Sequence, residues 1–458
     1  MGELALSMVL RATRGRLVGG GGPERLAGVS TDTRTLVPGS LFAALKGERF
    51  DGHDFVGEAF RRGAAAALVS REVEAVGPLV VVEETLEALG RLASAHREGL
   101  EVEVVAITGS TGKTTTKEMA AAILSQGGPT AKTPGNYNNE IGVPLALLEL
   151  DQSHRAAVLE LAMRGRGQIA YLAAMARPQV GVITNIGVSH MELLGSREVI
   201  AEAKAELLAA LPEDGTAVLN AQDDFFEFLK DRTSATVVSF GLNVAANVQV
   251  DKVKVGPEGR VEFVLKGWWG KQAISLRAAG RHNALNAAAA AAAAMAAGAK
   301  AEWVAAGLAA FESADMRGRI VRAPGGFTVV DDSYNAAPDS MRVALDLLAD
   351  LPGGRKWAVL ADMKELGPMG ADWHREVGEA ATGAGVAGVV TVGELGHFIA
   401  EGARAAGLGE VMEADDNAGA AALIAERVRP GDVVLVKGSR LMKMEEVVQR
   451  LLAGRADG

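Results

Sequence analysis

The chain has 458 residues, enough for about three domains, and 48% apolar with 23% charged side chains is the composition of a soluble globular protein. A net charge of −10 argues against a nucleic-acid surface, though not against an anionic substrate held in a local basic pocket. Cysteine is absent, which excludes disulfides, thiolate metal sites and thiol catalysis.

In chain order, the first ten residues are weakly apolar, contain Glu3 and lack a basic leader, so no signal peptide is expected. A loop at Gly19-Gly20-Gly21-Gly22-Pro23 precedes Val29 to Arg34, and Pro38-Gly39 signals a turn. Ser40 to Leu45 reads as a strand, Lys46 to Gly52 as a loop, Phe55 to Gly63 as a helix and Ala64 to Val69 as a strand. Together they predict a small α/β unit over residues 1–100. Asp32, Thr33 and Arg34 offer groups suited to a phosphate or a sugar, although a solvated polar turn has the same composition.

Over 101–312 the pattern alternates between strand and helix, with strands at 102–108, 156–161, 180–186, 216–220 and 236–240. That alternation predicts a parallel sheet covered by helices on both faces. Residues 247–277 alternate Val-x-Val between turns at Gly256-Pro257 and Gly267, which suggests an antiparallel meander appended to this core. Ala284 to Gly298 is nearly all alanine; it is shorter than the roughly 20 residues of a membrane span and predicts a closely packed buried helix. From 313 to 458 the alternation restarts, with strands at 327–331, 357–361, 387–392, 410–413 and 432–436, as in a second doubly wound domain.

The most informative stretch is Val104 to Thr116, an apolar run that breaks into Gly109-Ser110-Thr111-Gly112-Lys113-Thr114-Thr115 and then a helix start. Strand, glycine turn and helix form a phosphate cradle, because the amides at the helix N-terminus point at the anion. Lys113 would reach the terminal phosphates, and the Thr114 hydroxyl would ligate Mg²⁺. The strict pattern requires glycine where this chain has Ile107. Ligands of parallel sheets bind beyond the carboxyl ends of the strands, which draws attention to Glu160, to Gly187-Val188-Ser189-His190, and to Lys204 fourteen residues on. Thr114, Glu160 and His190 offer oxygen and nitrogen ligands for Mg²⁺. A histidine at a strand end is by itself an ordinary structural group; the phosphate loop on the same sheet edge gives this one its interest. In the last domain a strand ends in Asp331 and Asp332, and Arg317 and Arg319 lie at the preceding junction, where an arginine can clamp a phosphate.

Several of these motifs, in this order, resemble the Mur ligase family, the ATP-dependent peptide ligases of bacterial cell-wall synthesis. The resemblance rests on Thr108 to Thr115, Asn185 to His190 with Lys204, Gly280 to Asn286, Arg319, and the Asp331–Asn335 strand end, and it spans essentially the whole chain. It departs at Thr111, where many members carry asparagine. The implied architecture is α/β in three domains: a small N-terminal α/β domain, a central P-loop-type parallel-sheet ATPase domain, and a C-terminal Rossmann-like domain. By resemblance, Thr33, Arg34 and the loop of Glu48, Arg49 and Phe50 hold the UDP end of the substrate, and Asn138 and Asn139 face its muramoyl-peptide. ATP falls to Gly109 through Thr115 with Asn283 near the adenine, and to Arg319, Asp332 and Asn335 from the third domain. Lys113, His190, Lys204 and Arg319 carry catalysis; Thr114, Glu160, His190 and a carbamylated Lys204 serve Mg²⁺. Lys437-Gly438-Ser439-Arg440 ends the last strand where the family's closing domain approaches the peptide and the amine acceptor.

Within the family the chain lacks the Asp-Asn-Pro-Arg tetrapeptide usual in members that add a diamino acid to UDP-MurNAc-dipeptide. It has Asp332-Ser333-Tyr334-Asn335 at the strand end where those members have a Tyr-Ala-His-Thr-Pro-like run. The resemblance therefore implies UDP-MurNAc-tripeptide and D-Ala-D-Ala as substrates, joined through an acyl phosphate in a cytoplasmic monomer. The diamino-acid reaction is the alternative; a folate polyglutamate ligase and a nucleotide-dependent switch are more distant ones.

Overall fold

The structure is a computed structural model that describes residues 3–454 apart from 75, 257, 258 and 314. Three main sheets organise it. The first has five strands in the order Arg16–Val18, Leu79–Val81, Ala66–Val69, Leu41–Ala43 and Val29–Ser30. All its pairings are parallel except that of Arg16–Val18 with Leu79–Val81.

The second sheet has nine strands, and its centre positions the site. Glu103–Thr108 lies between Ala156–Glu160 and Val180–Ile183, parallel to both. Glu160 stands opposite Ile107, and Ile183 opposite Thr108. Beyond the half-buried Glu103 these strands are buried along their length, because helices cover both faces of the sheet. The valine-rich stretch forms Val248–Val255, Val261–Gly267 and Gly270–Leu276, antiparallel to one another as expected. Val248–Val255 also pairs in parallel with Thr236–Leu242, so the meander lengthens the sheet itself. Of its expected turns, Pro257 lies outside the described residues.

The alanine run forms the helix His282–Ala296, with Ala287 through Ala294 fully buried against the helix Lys113–Leu124. Methyl side chains let the two helices approach closely. Gly307 of the next helix, Ala301–Ala310, repeats the device: a Cβ there would stand 2.4 Å from the Cα of Ile123. Among the described residues no helix is long and apolar enough to cross a membrane.

The third sheet runs Arg319–Arg322, Thr328–Asp331, Val433–Lys437, Lys356–Ala361, Gly388–Val392 and Val411–Ala414. Five strands are parallel and within a residue or two of expectation. The sixth, Arg319–Arg322, is an antiparallel edge strand that the sequence reading does not contain. Its two arginines are exposed at its ends, so it offers little apolar signal, as suits a strand at a sheet edge.

Candidate active site

The phosphate loop follows the central strand of the nine-stranded sheet. Gly109 and Gly112 have φ of +146° and +80°. A Cβ on Gly109 would lie 1.9 Å from Thr184 Oγ1, and one on Gly112 2.5 Å from Asn286 Oδ1, so both positions require glycine for conformation and for space. The neighbouring strand end fastens the loop. Asn185 accepts from Ser110 N on its carbonyl and from Thr111 N on its side chain, both at 3.0 Å. Its amide donates to Thr111 Oγ1 at 2.7 Å, and Thr184 Oγ1 donates to the Thr111 carbonyl at 2.6 Å. Gly187 N donates to Ser110 Oγ at 2.8 Å. Thr111, the departure from the family pattern, thus keeps a polar anchor. Lys113 curls back over the loop, donating to the carbonyls of Gly109 (2.7 Å) and Ser110 (3.2 Å). Thr115 follows on the first turn of the helix that Lys113 opens.

Glu160, 2% exposed, organises one side of the loop. Its carboxylate accepts from Thr114 Oγ1 and from Asn138 Nδ2, each at 2.8 Å. A carboxylate so buried needs a cation, and it has one that sequence reasoning missed: Lys117 Nζ, 4.0 Å from Oε2. Asn139, beside Asn138, instead caps the helix Gly142–Leu148, its Oδ1 accepting from Ile141 N and Gly142 N.

His190 and Lys204 lie on the other side. His190 Nδ1 is 2.7 Å from Glu365 Oε2 of the third domain, and both residues adopt left-handed backbone, with φ of +66° and +63°. Burial, reinforced by the Lys113 ammonium, pushes the His190 imidazole below its ordinary pKa, while Glu365 acts in the opposite sense. Lys204 sits on the helix Arg197–Ala209, buried, with no hydrogen-bond or ion-pair partner among the described residues. Burial first, and Lys113 second, push its pKa well below the ordinary lysine value. The expected metal set is therefore divided in this structure. Thr114 and Glu160 touch, His190 turns to Glu365, and Lys204 is unpartnered. No group of three His, Asp or Glu poised for a metal occurs among the described residues.

The third domain meets this edge at two further points. Asp339 Oδ2 accepts from Val188 N at 3.1 Å. Arg317, whose guanidinium stacks 4.1 Å over the Tyr334 ring, is the arginine whose charge reaches Lys113. Burial lowers the Lys113 pKa most, Glu160 opposes that, and Arg317 adds to it. Arg319 is exposed and pairs with Asp315 at 3.1 Å. Asp332 Oδ2 is 2.5 Å from Lys437 Nζ, which also donates to the Asn335 carbonyl at 2.9 Å. Arg440 N donates to Asn335 Oδ1 at 3.3 Å. His282 stands near the Asp332–Lys437 pair, and burial lowers its pKa to about 4. Asn283 is buried at the same helix start, donating to the Ala279 carbonyl at 2.6 Å and accepting from Asn286 at 3.0 Å.

Among the described residues, no hydrogen bond or ion pair joins the N-terminal candidates to these groups. Arg34 clamps Asp32, its Nη2 2.6 Å from Oδ2, and holds that carboxyl at about 2. The Thr33 carbonyl accepts from Arg62 at 3.2 Å. Glu48, Arg49 and Phe50 form a tight turn closed by Gly47 N to the Phe50 carbonyl at 2.9 Å, and the Phe50 ring is 72% exposed.

Sequence reasoning thus missed Lys117, Glu365 and Asp339, and gave Asn185 no separate role. Lys117 carried a signal, one helical turn beyond Lys113 on the same face. Glu365 and Asp339 carried none, because only the docking of two domains brings them here.

Comparison with known proteins identifies the family of the chain. Residues 25–97 match the description "Mur ligase family, catalytic domain", 107–294 "Mur ligase middle domain", and 316–440 "Mur ligase, glutamate ligase domain". The chain is 40% identical to the UDP-N-acetylmuramoyl-tripeptide–D-alanyl-D-alanine ligase of Bacillus subtilis, over 93% of each chain. It is 42% identical to the Escherichia coli ligase of the same name, over 93% of this chain and 94% of that one. A crystal structure of MurF from Acinetobacter baumannii superposes with a TM-score of 0.92 at 33% identity, covering 99% of both chains. MurF ligase from Thermotoga maritima in complex with ADP gives 0.83 at 30%, covering 93% of this chain and 97% of that one. A folylpolyglutamate synthase of Mycobacterium tuberculosis, at 20% identity and 0.64, shares the fold alone. The chain belongs to the Mur ligase family.

Proposed function

We propose that this chain is the ATP-dependent ligase that joins D-alanyl-D-alanine to UDP-N-acetylmuramoyl-tripeptide, giving the UDP-MurNAc-pentapeptide of peptidoglycan synthesis. The observation that carries the reading is similarity along 93% of the chain to ligases of that name, at 40 and 42% identity. The diamino-acid-adding alternative has less support: a structural neighbour of that kind, at 19% identity and a TM-score of 0.53, shares the fold alone.

The chemical obstacle is that a carboxylate is a poor electrophile with a poor leaving group. Transfer of the γ-phosphoryl of ATP to the terminal carboxylate of the tripeptide makes an acyl phosphate. The amine of D-Ala-D-Ala attacks its carbonyl, the amine loses a proton, and phosphate leaves as the peptide bond forms. The loop amides of Gly109 to Thr115 would hold the phosphates. Lys113 would exchange its loop carbonyls for phosphate oxygens, and Arg317 from the third domain, with Arg319 beside it, would share the charge of transfer. Asn283, Asp332 and Asn335 would line the nucleoside end, and Asn138 the muramoyl-peptide. In the N-terminal domain Thr33, Arg34 and the exposed Glu48-Arg49-Phe50 turn would take the UDP end. The acyl phosphate must be kept from water, and the contacts of His190 with Glu365 and of Val188 with Asp339 support that role, because they lay the third domain over the strand ends.

The oxygen donors of Thr114 and Glu160, 2.8 Å apart, suit Mg²⁺, which when bound would neutralise phosphate charge during transfer. Lys204 fits carbamylation. A buried amine pushed toward its neutral form reacts with CO₂, and the resulting anion would supply the negative charge that its position beside His190 lacks. The same reading divides the chain near residues 100 and 312 and makes it a cytoplasmic monomer.

The test is product formation followed by mass spectrometry. UDP-MurNAc-tripeptide, D-Ala-D-Ala and ATP should yield ADP, phosphate and the pentapeptide, whereas UDP-MurNAc-dipeptide with lysine or diaminopimelate should yield nothing. Product only in the second mixture would overturn the acceptor assignment, and ATP turnover with no amine present would overturn ligation.

A further inference from the structure

Lys117 is 0% exposed, and polar groups surround its ammonium. An ammonium has three donors. Here two hydrogen bonds form, to the carbonyl of Thr133 at 2.8 Å and to that of Gly135 at 3.2 Å, and Glu118 Oε1 makes an ion pair with the ammonium at 3.1 Å. Glu118 is tied in turn to Lys132. The fourth neighbour, Glu160 Oε2 at 4.0 Å, receives charge but no hydrogen bond. Its own oxygens remain committed to Thr114 and Asn138.

The geometry matters because of what each neighbour carries. Thr133 and Gly135 open the segment that leads to Asn138. Thr133 also reaches Glu160 directly, its Oγ1 accepting from Glu160 N at 3.0 Å. Lys117 lies on the same helix face as Lys113 and Thr114, one turn on. One buried cation therefore holds three things in register: the helix behind the phosphate loop, the strand end bearing Glu160, and the segment bearing Asn138. A buried lysine is unfavourable unless its position is used. An apolar residue would fill the same space without the loss of hydration.

We infer that Lys117 is a positioning residue for the ligation, setting Asn138 and Glu160 against the phosphate loop without touching substrate itself. The inference rests on the ligase reading above. The test is Lys117→Met, which keeps the stem and deletes the charge and donors, with kcat and KM measured for each substrate and ADP binding measured by calorimetry. A displacement on the order of an ångström predicts a loss of about 10²-fold in kcat/KM for the muramoyl-peptide. ADP affinity, set by the loop amides, should stay within about three-fold. The readout that a merely structural lysine would not move is the cycle with Asn138→Ala. If Lys117 acts through Asn138, the second substitution adds about two-fold or less on the Lys117→Met background, although alone it costs about ten-fold. Effects that multiply in folded protein would overturn the inference. If Lys117→Met does not fold, Thr133→Val, which cuts only the segment's bond to Glu160 N, should show the same non-additivity with Asn138→Ala, and multiplication there overturns it equally. A wild-type protein that makes no pentapeptide would instead refute the ligase reading, so the two failures are distinct.

Discussion

Replacing Lys204 by methionine should make the protein more stable and less active at once. Lys204 is 2% exposed and has no ion-pair partner among the described residues, and burial together with the Lys113 ammonium depresses its pKa. The unfolded chain therefore holds this proton more tightly than the folded one. The charge opposes folding below the unfolded lysine value of about 10.4, and that penalty is relieved as pH rises from the depressed folded value toward it. Lys204→Met keeps a four-atom apolar stem of similar reach and removes the amine. Exchanging a buried charge for a packed apolar group is neutral or stabilising by about 1–4 kcal/mol, read as a higher urea midpoint with unchanged slope in CO₂-free buffer without Mg²⁺. Substrate-dependent phosphate release should meanwhile fall by about 10²–10³-fold, the usual loss for removing an electrostatic participant. Lys204→Ala leaves room at the same place, so a short carboxylic acid added to the assay should restore part of the rate, and depleting CO₂ should slow the wild type. A fully active Lys204→Met protein would remove this residue from the site. A destabilised one would show that the ammonium is compensated after all.

Two further outcomes follow from the geometry. Asn185→Ala deletes the acceptor for Thr111 N and the donor to Thr111 Oγ1, and leaving such groups unmatched costs about 1–3 kcal/mol. ADP affinity should fall by about 5- to 100-fold in calorimetry, and unchanged affinity would show that the loop holds itself. His282 has a folded pKa lowered to about 4, chiefly by burial, so the unfolded chain takes up its proton first as pH falls. Stability should decline by about 1–2 kcal/mol between pH 7 and pH 5 on this account, and His282→Gln should lose that much less in urea titrations at the two pH values; an equal decline in both proteins would refute it.

How much of this was legible in the sequence depended on how local each signal was. The phosphate loop was readable because strand, glycines, lysine and helix start are contiguous from Val104 to Thr116. The buried alanine helix was readable because no other role suits such a run. Glu160 was found as a charge inside an apolar strand, a local anomaly, but its cation was passed over because Lys117 looks like any helix lysine until tertiary packing closes over it. Arg317 and Arg319 are alike in the sequence, and only packing distinguishes their surroundings: Arg317 lies on Tyr334, whereas Arg319 pairs with Asp315 on an exposed edge strand. Glu365 could not have been found at all. Its partner His190 is 175 residues away, and nothing near Glu365 in the chain distinguishes it from a surface acid.

Gly187 sits where two parts of the molecule share adjacent amides. Its own N–H goes to Ser110 of the phosphate loop, and that of Val188 goes to Asp339 of the third domain. Its backbone is unstrained, so conformation does not demand glycine; space does. A methyl group here would stand 2.1 Å from Asp339 Oδ2 and 3.2 Å from Ser110 Cβ. One extra carbon would therefore press on the nucleotide cradle and on the covering domain together. The seam between the phosphate loop and the third domain has no spare room for a methyl group, so a side chain at this position would have to turn the Asp339 carboxylate away from Val188 N and loosen the one contact while crowding the other.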